Sequence, residues 1–528
     1  MLDLIIRNGL IVTATEILPP GVEIGVRDGK IAMVGRDLEA GSETQIIDAE
    51  GAYITPGGVD SHVHIEQDNA PTGDTWESGT RSAIAGGNTT VIAFASQKRQ
   101  EESIWPAIEA YHKKATGNAF CDYGFHAIIT NPNEEVLENE LPALVGQGIT
   151  SVKLYMTYQP LKLGDGDLFN IMMRARALGI TTMIHAENND MIEQITKRLA
   201  EHNNTQSFFH SVARPQIAES EATYRAISLA EVTDTPILIV HMSAPAAIKH
   251  VTEAQQRLLP IHAETCPQYL YLLSDRLRSG PDDFVGAKNI CAPPLRHDPR
   301  DLEYLWQGLA NGTFTVVSSD HAPSAFDHPC GKMKGFCAAN GDGKPHADFR
   351  SVPNGLPGIE TRLPLLFNRT AGPADAGGEV RISLPRFVQL TSTNPAKLYG
   401  LDGRKGSLLP GFDADIVIWY PEEAPSAAAS SAAANGVNGA KKQQRRFVIR
   451  NEDLHHRIDY TPFEGVEVRN WPRWVFLRGQ LAWDRDAGGV KVKMGDGQFL
   501  KREKSTILTG MTGRTATGMA RGEWGYWM

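Results

Sequence analysis

Apolar residues in the first 55 positions fall in short runs at Leu4–Arg7, Gly9–Val12, Val22–Val26 and Lys30–Val34, broken at Asn8-Gly9 and Asp28-Gly29. Runs of this length between turn dipeptides predict strands, and no helical period appears before Pro56. These strands bury too little to stand alone and need a partner elsewhere in the chain. From Val59 onward, β-like runs alternate with helical stretches. The runs are Val59–His64, Thr89–Ala95, Tyr123–Thr130, Ser151–Tyr158, Thr181–Glu187, Ile237–Met242, Ile261–Thr265 and Phe314–Ser319. The stretches between them carry helical spacing, as at Leu168, Ile171, Met172, Ala175 and Leu178, and Gly86-Gly87, Gly148 and Gly179 mark their ends. This alternation predicts an α/β protein with a (β/α)8 TIM-like barrel over residues 56–400, with the segments near 270–300 and 322–360 as rim loops. Residues 380–400 read as helical, and β-rich turns return afterwards, as in Ala414–Trp419. Residues 1–55 and 401–500 therefore predict a smaller β-sandwich domain built from both chain ends. The Ala/Ser/Asn/Gly-rich insert 424–446 reads as a flexible surface loop. The tail 501–528 is polar, with Trp524, Tyr526 and Trp527 near its end, and reads either as unpacked or as packing on a neighbouring subunit.

Composition narrows the class. The 528 residues carry a formal net charge of −10, so no nucleic acid or other polyanion is expected as a partner. No apolar run approaches the roughly 18–20 residues that span a bilayer, so no membrane partner is expected either. The opening Met1–Arg7 lacks a small-residue cleavage site. Five scattered cysteines, an odd number, suggest free thiols in a reducing compartment, and the expected location is cytoplasmic.

The chemistry starts at Val59-Asp60-Ser61-His62-Val63-His64, after a Pro56-Gly57-Gly58 turn. On a strand, the two-residue period puts His62 and His64 on one face, aimed alike, as a metal pincer would be. Polar residues at a strand end would look the same. His185, in Met183–Glu187, and His241, in Ile239–Met242, are second-site candidates, although each could be a hydrogen-bonded core histidine. Asp320 could equally be a helix cap. Lys153 is unusual because it sits within an apolar strand, and lysine is seldom fully buried. On a barrel all six lie at strand ends on the rim where barrel active sites sit. Burial depresses a lysine pKa and leaves a neutral amine able to take up carbon dioxide. The resulting carbamate has two oxygens and could bridge two metal ions about 3.5–4 Å apart. Asp320 would then bind one ion and accept a proton from the bridging water.

These stretches resemble the amidohydrolase superfamily: Val59–His64, Ser151-Val152-Lys153, His185-Ala186-Glu187-Asn188, Val240-His241-Met242-Ser243 and Ser319-Asp320-His321. Glu264-Thr265-Cys266-Pro267-Gln268-Tyr269, Ala292-Pro293-Pro294-Leu295-Arg296, Pro353-Asn354-Gly355-Leu356-Pro357-Gly358 and Thr393-Asn394-Pro395-Ala396-Lys397 narrow it to the dihydropyrimidinase/hydantoinase family. Tyr460–Gly465 and Asn470–Arg473 look particularly like fungal dihydropyrimidinases. The resemblance implies two zinc ions per subunit. His62, His64 and Asp320 would hold one, His185 and His241 the other, with N6-carboxylated Lys153 and a hydroxide bridging them. It implies Asp320 as general base, Tyr158 as the oxyanion-stabilising hydroxyl, and Asn354 contacting the substrate imide through its backbone. Ala292 matches a substrate-contacting position that the family usually fills with serine. Tyr155 matches a position near the ring substituent. A homotetramer is also implied.

Dihydroorotases carry an arginine soon after the His-x-His, whereas Ile65-Glu66-Gln67-Asp68 is acidic and unsuited to an anionic ring. The expected substrate is a neutral cyclic ureide: dihydrouracil or dihydrothymine first, hydantoins second, allantoin last. The expected product is an N-carbamoyl-β-amino acid. Some relatives keep the fold as non-enzymatic structural proteins after losing the ligands; here all six positions are filled.

Overall fold

The computed structural model describes residues 1–280, 283–337, 346–370, 380–422 and 446–507. Most of the 424–446 insert and the aromatic end of the tail lie outside the described residues.

Eight parallel strands form one sheet in sequential order: β1 (Gly58–Val63), β2 (Asn88–Ser96), β3 (Asp122–Ile128), β4 (Ser151–Tyr155), β5 (Thr181–His185), β6 (Ile237–Ile239), β7 (Ile261–Thr265) and β8 (Val316–Val317). The sheet closes on itself through a parallel bridge between Val63 and His321, where the His64 amide donates to the His321 carbonyl over 2.7 Å. This is the expected TIM-like barrel with an additional β domain. Side chains alternate across each strand. Ile92, Phe94, Tyr155, Met183, Leu238, Val240 and Val316 fill the interior, while Val91, Ala93, Val152, Leu154, Ile184 and Ile239 face the helices. Lys153 shares the inward parity of Tyr155.

β6 and β8 are shorter than their apolar runs. Shortly beyond them, His241 (φ 39°) and Asp320 (φ 47°) adopt left-handed backbone conformations. Tyr158 (φ 67°), beyond β4, does the same. Left-handed backbone at non-glycine residues costs free energy and persists where the surroundings enforce it. All three occur where strand becomes rim loop.

The β domain contains two sheets. In one, Lys30–Gly35, Glu23–Arg27, Leu4–Arg7 and Gln45–Asp48 lie side by side. In the other, Leu10–Ile11 and Tyr53–Pro56 join Ile416–Trp419, Pro472–Leu477, Gln480–Asp484 and Gly489–Val490. Tyr53–Pro56 runs antiparallel to Ile416–Trp419, with Thr55 opposite Val417. Ile416 and Ile418 pack on Ile6, Ile24 and Ile54 between the sheets, whereas Val417 and Trp419 turn to the barrel, where Trp419 stacks on Phe367 at 3.9 Å. Buried Lys405 adds a polar tie, reaching Asp122 of β3 at 2.6 Å, Asp415 at 2.8 Å and Asp413 at 3.0 Å. The start of the tail runs beneath the barrel of its own chain: the Leu500 amide donates to the Tyr123 carbonyl over 2.7 Å, and Arg502 is buried against Phe125 and Ser151.

Candidate active site

A cavity of about 500 Å³ opens at the carboxyl ends of the barrel strands, lined by His64, Tyr155, Tyr158, His185, His241, Ala292, Asp320 and Asn354, among others. His62 and Lys153 lie directly beneath it, both fully buried. The structure therefore gathers all ten residues singled out in the sequence around one chamber.

His62, His64 and Asp320 offer ligand atoms within 4.8 Å of one another. The nearer Asp320 oxygen lies 3.2 Å from Nε2 of His62 and 3.5 Å from Nε2 of His64. Nζ of Lys153 is 3.3 Å from the same His62 nitrogen. His185 and His241 pack edge to face at 4.3 Å, with His241 5.4 Å from His62. Burial pushes His62 and His241 well below the ordinary histidine range and lowers His185, so these rings are neutral at neutral pH and keep a lone pair for a metal. Burial also brings Lys153 down to about 8. Burial alone would raise Asp320, but His62, His64 and Lys153 outweigh it and hold the carboxylate below its usual value.

This donor set fits a metal centre. Among the described residues, Lys153 has no carboxylate at ion-pair distance; its ammonium faces an imidazole nitrogen and the rings of Phe94 and Tyr155 at 5.1 and 5.3 Å. Nδ1 of His241 is buried without a partner. Such unpaired polar atoms are costly in a closed core, and bound cations with a carboxylated lysine would satisfy them.

Surrounding carboxylates orient the rings. Glu264 holds Nδ1 of His62 at 2.7 Å and accepts the His241 amide at 3.2 Å. Glu187 holds Nε2 of His185 at 2.7 Å, leaving Nδ1 to face the chamber, and is itself paired with Arg214 at 2.6 Å. Burial pushes Glu264 up to about 8. Glu187 is pushed up by burial as well, but Arg214 and His185 bring it down to about 2. Arg214 also lies 5.2 Å over the Tyr158 ring. The Tyr158 hydroxyl accepts a 3.1 Å hydrogen bond from the Asn354 amide group, joining two of the sequence candidates. Glu187 and Glu264 stand inside motifs that the sequence displays, yet nothing in the sequence assigns them a partner; Arg214 lies outside every motif. Their roles emerge only when β5, β6 and β7 are side by side.

A closed barrel with a polar, histidine-rich chamber at its carboxyl rim defines a barrel enzyme. The amidohydrolase family model matches residues 53–482. A D-hydantoinase of Geobacillus stearothermophilus is 38% identical over 508 residues, covering 96% of this chain and 97% of that protein. A D-hydantoinase of Rhizobium radiobacter is 37% identical over 506 residues, covering 95% and 99%. The crystal structure of dihydropyrimidinase from Brevibacillus agri NCHU1002 superposes with a TM-score of 0.83 at 34% identity, covering 95% of this chain and 99% of that one. The chain belongs to the amidohydrolase family, within its hydantoinase/dihydropyrimidinase group of cyclic amidohydrolases.

Proposed function

We propose that the protein hydrolyses the cyclic amide bond of 5,6-dihydropyrimidines, giving N-carbamoyl-β-amino acids, as part of reductive pyrimidine breakdown. The observation that carries this reading is the chamber itself, in which four imidazoles, a carboxylate and a buried lysine with no carboxylate at ion-pair distance among the described residues converge beside the Tyr158–Asn354 pair. His62, His64 and Asp320 would hold one divalent cation, His185 and His241 a second, and carboxylated Lys153 both; zinc suits this imidazole-rich set. Bound cations would supply Lewis acidity and make a nucleophilic water available at neutral pH.

The remaining work falls to the side chains. Asp320, ionised at neutral pH, accepts the proton of the attacking water and passes it to the departing ring nitrogen. Burial holds the Tyr158 hydroxyl at about 12 despite the opposing Arg214, so it stays protonated and donates to the oxygen where charge develops. Asn354 and Ala292 hold the imide edge through their backbones, and Tyr155 borders the ring substituent. Ring opening is reversible, and the same groups serve both directions. Of Glu66-Gln67-Asp68, Gln67 lines the chamber while Asp68 is paired with Lys114 at 2.7 Å. This stretch therefore brings an uncharged amide rather than an arginine to the ring, which disfavours an anionic substrate.

Side-by-side hydrolysis of dihydrouracil, dihydrothymine, hydantoin, allantoin and dihydroorotate tests the proposal. Dihydropyrimidines should give the highest kcat/KM. Faster opening of hydantoin would favour the hydantoinase reading, the activity in the names of the two D-hydantoinase relatives, and opening of allantoin alone would overturn the substrate assignment.

A further inference from the structure

Three buried lysines lie in the described structure around the barrel. Lys153 faces the chamber and Lys405 is neutralised by aspartates. Lys332, fully buried on the short turn Lys332–Gly335, has neither arrangement. Its Nζ donates to three main-chain carbonyls: Ile290 at 2.8 Å, Pro353 at 2.7 Å and Gly355 at 2.7 Å. Burial pulls Lys332 down to about 7, whereas the three carbonyl acceptors favour the charged form; an ammonium has three N–H donors, and all three are used. Among the described residues no carboxylate lies at ion-pair distance from it.

The acceptors come from two different loops. Ile290 precedes Cys291-Ala292, and Pro353 and Gly355 flank Asn354. The loops also touch directly, since the Gly355 amide donates to the Ile290 carbonyl over 3.1 Å. The lysine is itself held in place: its amide donates to the Ala325 carbonyl over 2.8 Å. A Cβ on the preceding Gly331 would come within 2.0 Å of that carbonyl oxygen, so only glycine allows the approach. Three converging carbonyl dipoles repel one another unless a cation sits among them, and buried charge-assisted hydrogen bonds are the strong kind.

We propose that Lys332 is a positioning residue whose ammonium clamps the Ala292 and Asn354 loops at a fixed spacing, and thereby sets affinity for the substrate's imide edge. The inference rests on the ring-binding roles assigned above to Ala292 and Asn354. Lys332 touches neither substrate nor metal ligand, so its loss acts on binding rather than on the chemical step.

The test uses full-length, metal-loaded Lys332→Met and Lys332→Arg, with amide hydrogen exchange and steady-state kinetics on dihydrouracil. In Lys332→Met, the amides of Ile290, Cys291, Asn354 and Gly355 should exchange about tenfold faster, as expected for a loop freed to open locally. Amides of β1 and β4 and the bound metal should be unchanged. KM should rise about tenfold while kcat stays within about threefold, the split expected for lost ground-state binding. Lys332→Arg keeps the charge but presents a planar fork to three converging acceptors, so it should fall between. Unchanged exchange in folded Lys332→Met, or faster exchange with an unchanged KM, overturns the proposal. If Lys332→Met does not fold, Lys332→Arg decides: an unchanged KM overturns the proposal, and a raised KM with full metal supports it. If the parent protein opens none of the rings while the exchange change is seen, the ring assignment fails and the clamp stands.

Discussion

Oε1 of Glu264 lies 2.7 Å from Nδ1 of His62, and both side chains are wholly buried. Because the same oxygen accepts the His241 amide, one carboxylate on β7 fixes a ring on β1 and the backbone just past β6. A carboxyl group behind a metal-ligating histidine fixes its tautomer, and bound cations would draw Glu264 back from its raised value towards the ionised form that raises ring basicity. Glu264→Gln should therefore lower metal affinity about ten- to a hundredfold, measured by chelator competition, with the far-ultraviolet circular dichroism unchanged. Parental affinity in this variant would remove Glu264 from the site.

Carbon dioxide adds only to a neutral amine. With Lys153 at about 8, about a tenth of it is neutral at pH 7, against well under 0.1% for an ordinary lysine. Carboxylation of the metal-free protein at fixed dissolved carbon dioxide should rise with pH through about 8 and level off above it, read by carbon-13 NMR of the labelled carbamate. Lys153→Ala should show no such signal and should lose activity. The same shift bears on stability. Between about 8 and the ordinary value near 10.4, the unfolded chain binds the extra proton, so the metal-free protein should gain stability as pH rises through that window. Thermal unfolding of metal-free protein across this range checks the sign.

Tyr158→Phe removes one donor from the chamber and leaves the ring under Arg214. Loss of a single oxyanion donor costs about 10²–10³ in kcat, so kcat should fall by that factor with bound metal unchanged. Because Asn354 loses its acceptor, a modest rise in KM should accompany it. A kcat within about threefold of the parent would take Tyr158 out of the chemistry.

Lys405→Met should destabilise without touching the chamber. It leaves Asp122, Asp413 and Asp415 buried around a missing cation, and breaking a buried pair in this way costs about 3–5 kcal/mol. Denaturant unfolding should register the loss, while kcat/KM of the folded fraction stays near parental.

The barrel was legible because its signal is repetitive: eight apolar runs, each followed by helical spacing, admit few other arrangements. The polar candidates were legible by position, since His62, His64, Lys153, His185, His241 and Asp320 all fall at or near strand ends. The left-handed backbone of His241 and Asp320 beyond β6 and β8 was hidden, because no apolar pattern reports a φ. Glu264, Glu187 and Arg214 gave no signal of their own, for their meaning is a distance across neighbouring strands. Lys332 was least visible of all. Its partners are carbonyls, and every residue has one.

The pairing of Tyr53–Pro56 with Ile416–Trp419 has a consequence for the order of assembly. The amino-terminal strand leaves the ribosome hundreds of residues before the strand that pairs with it, and the whole barrel is made in between. Until then its edge presents unpaired amides and carbonyls, the kind of surface that recruits stray strands. The barrel can close first and bring the two ends together, which shortens the effective loop. Refolding should therefore be aggregation-prone before barrel closure and far less so after it, and fragments that stop short of Ile416 should be poorly soluble.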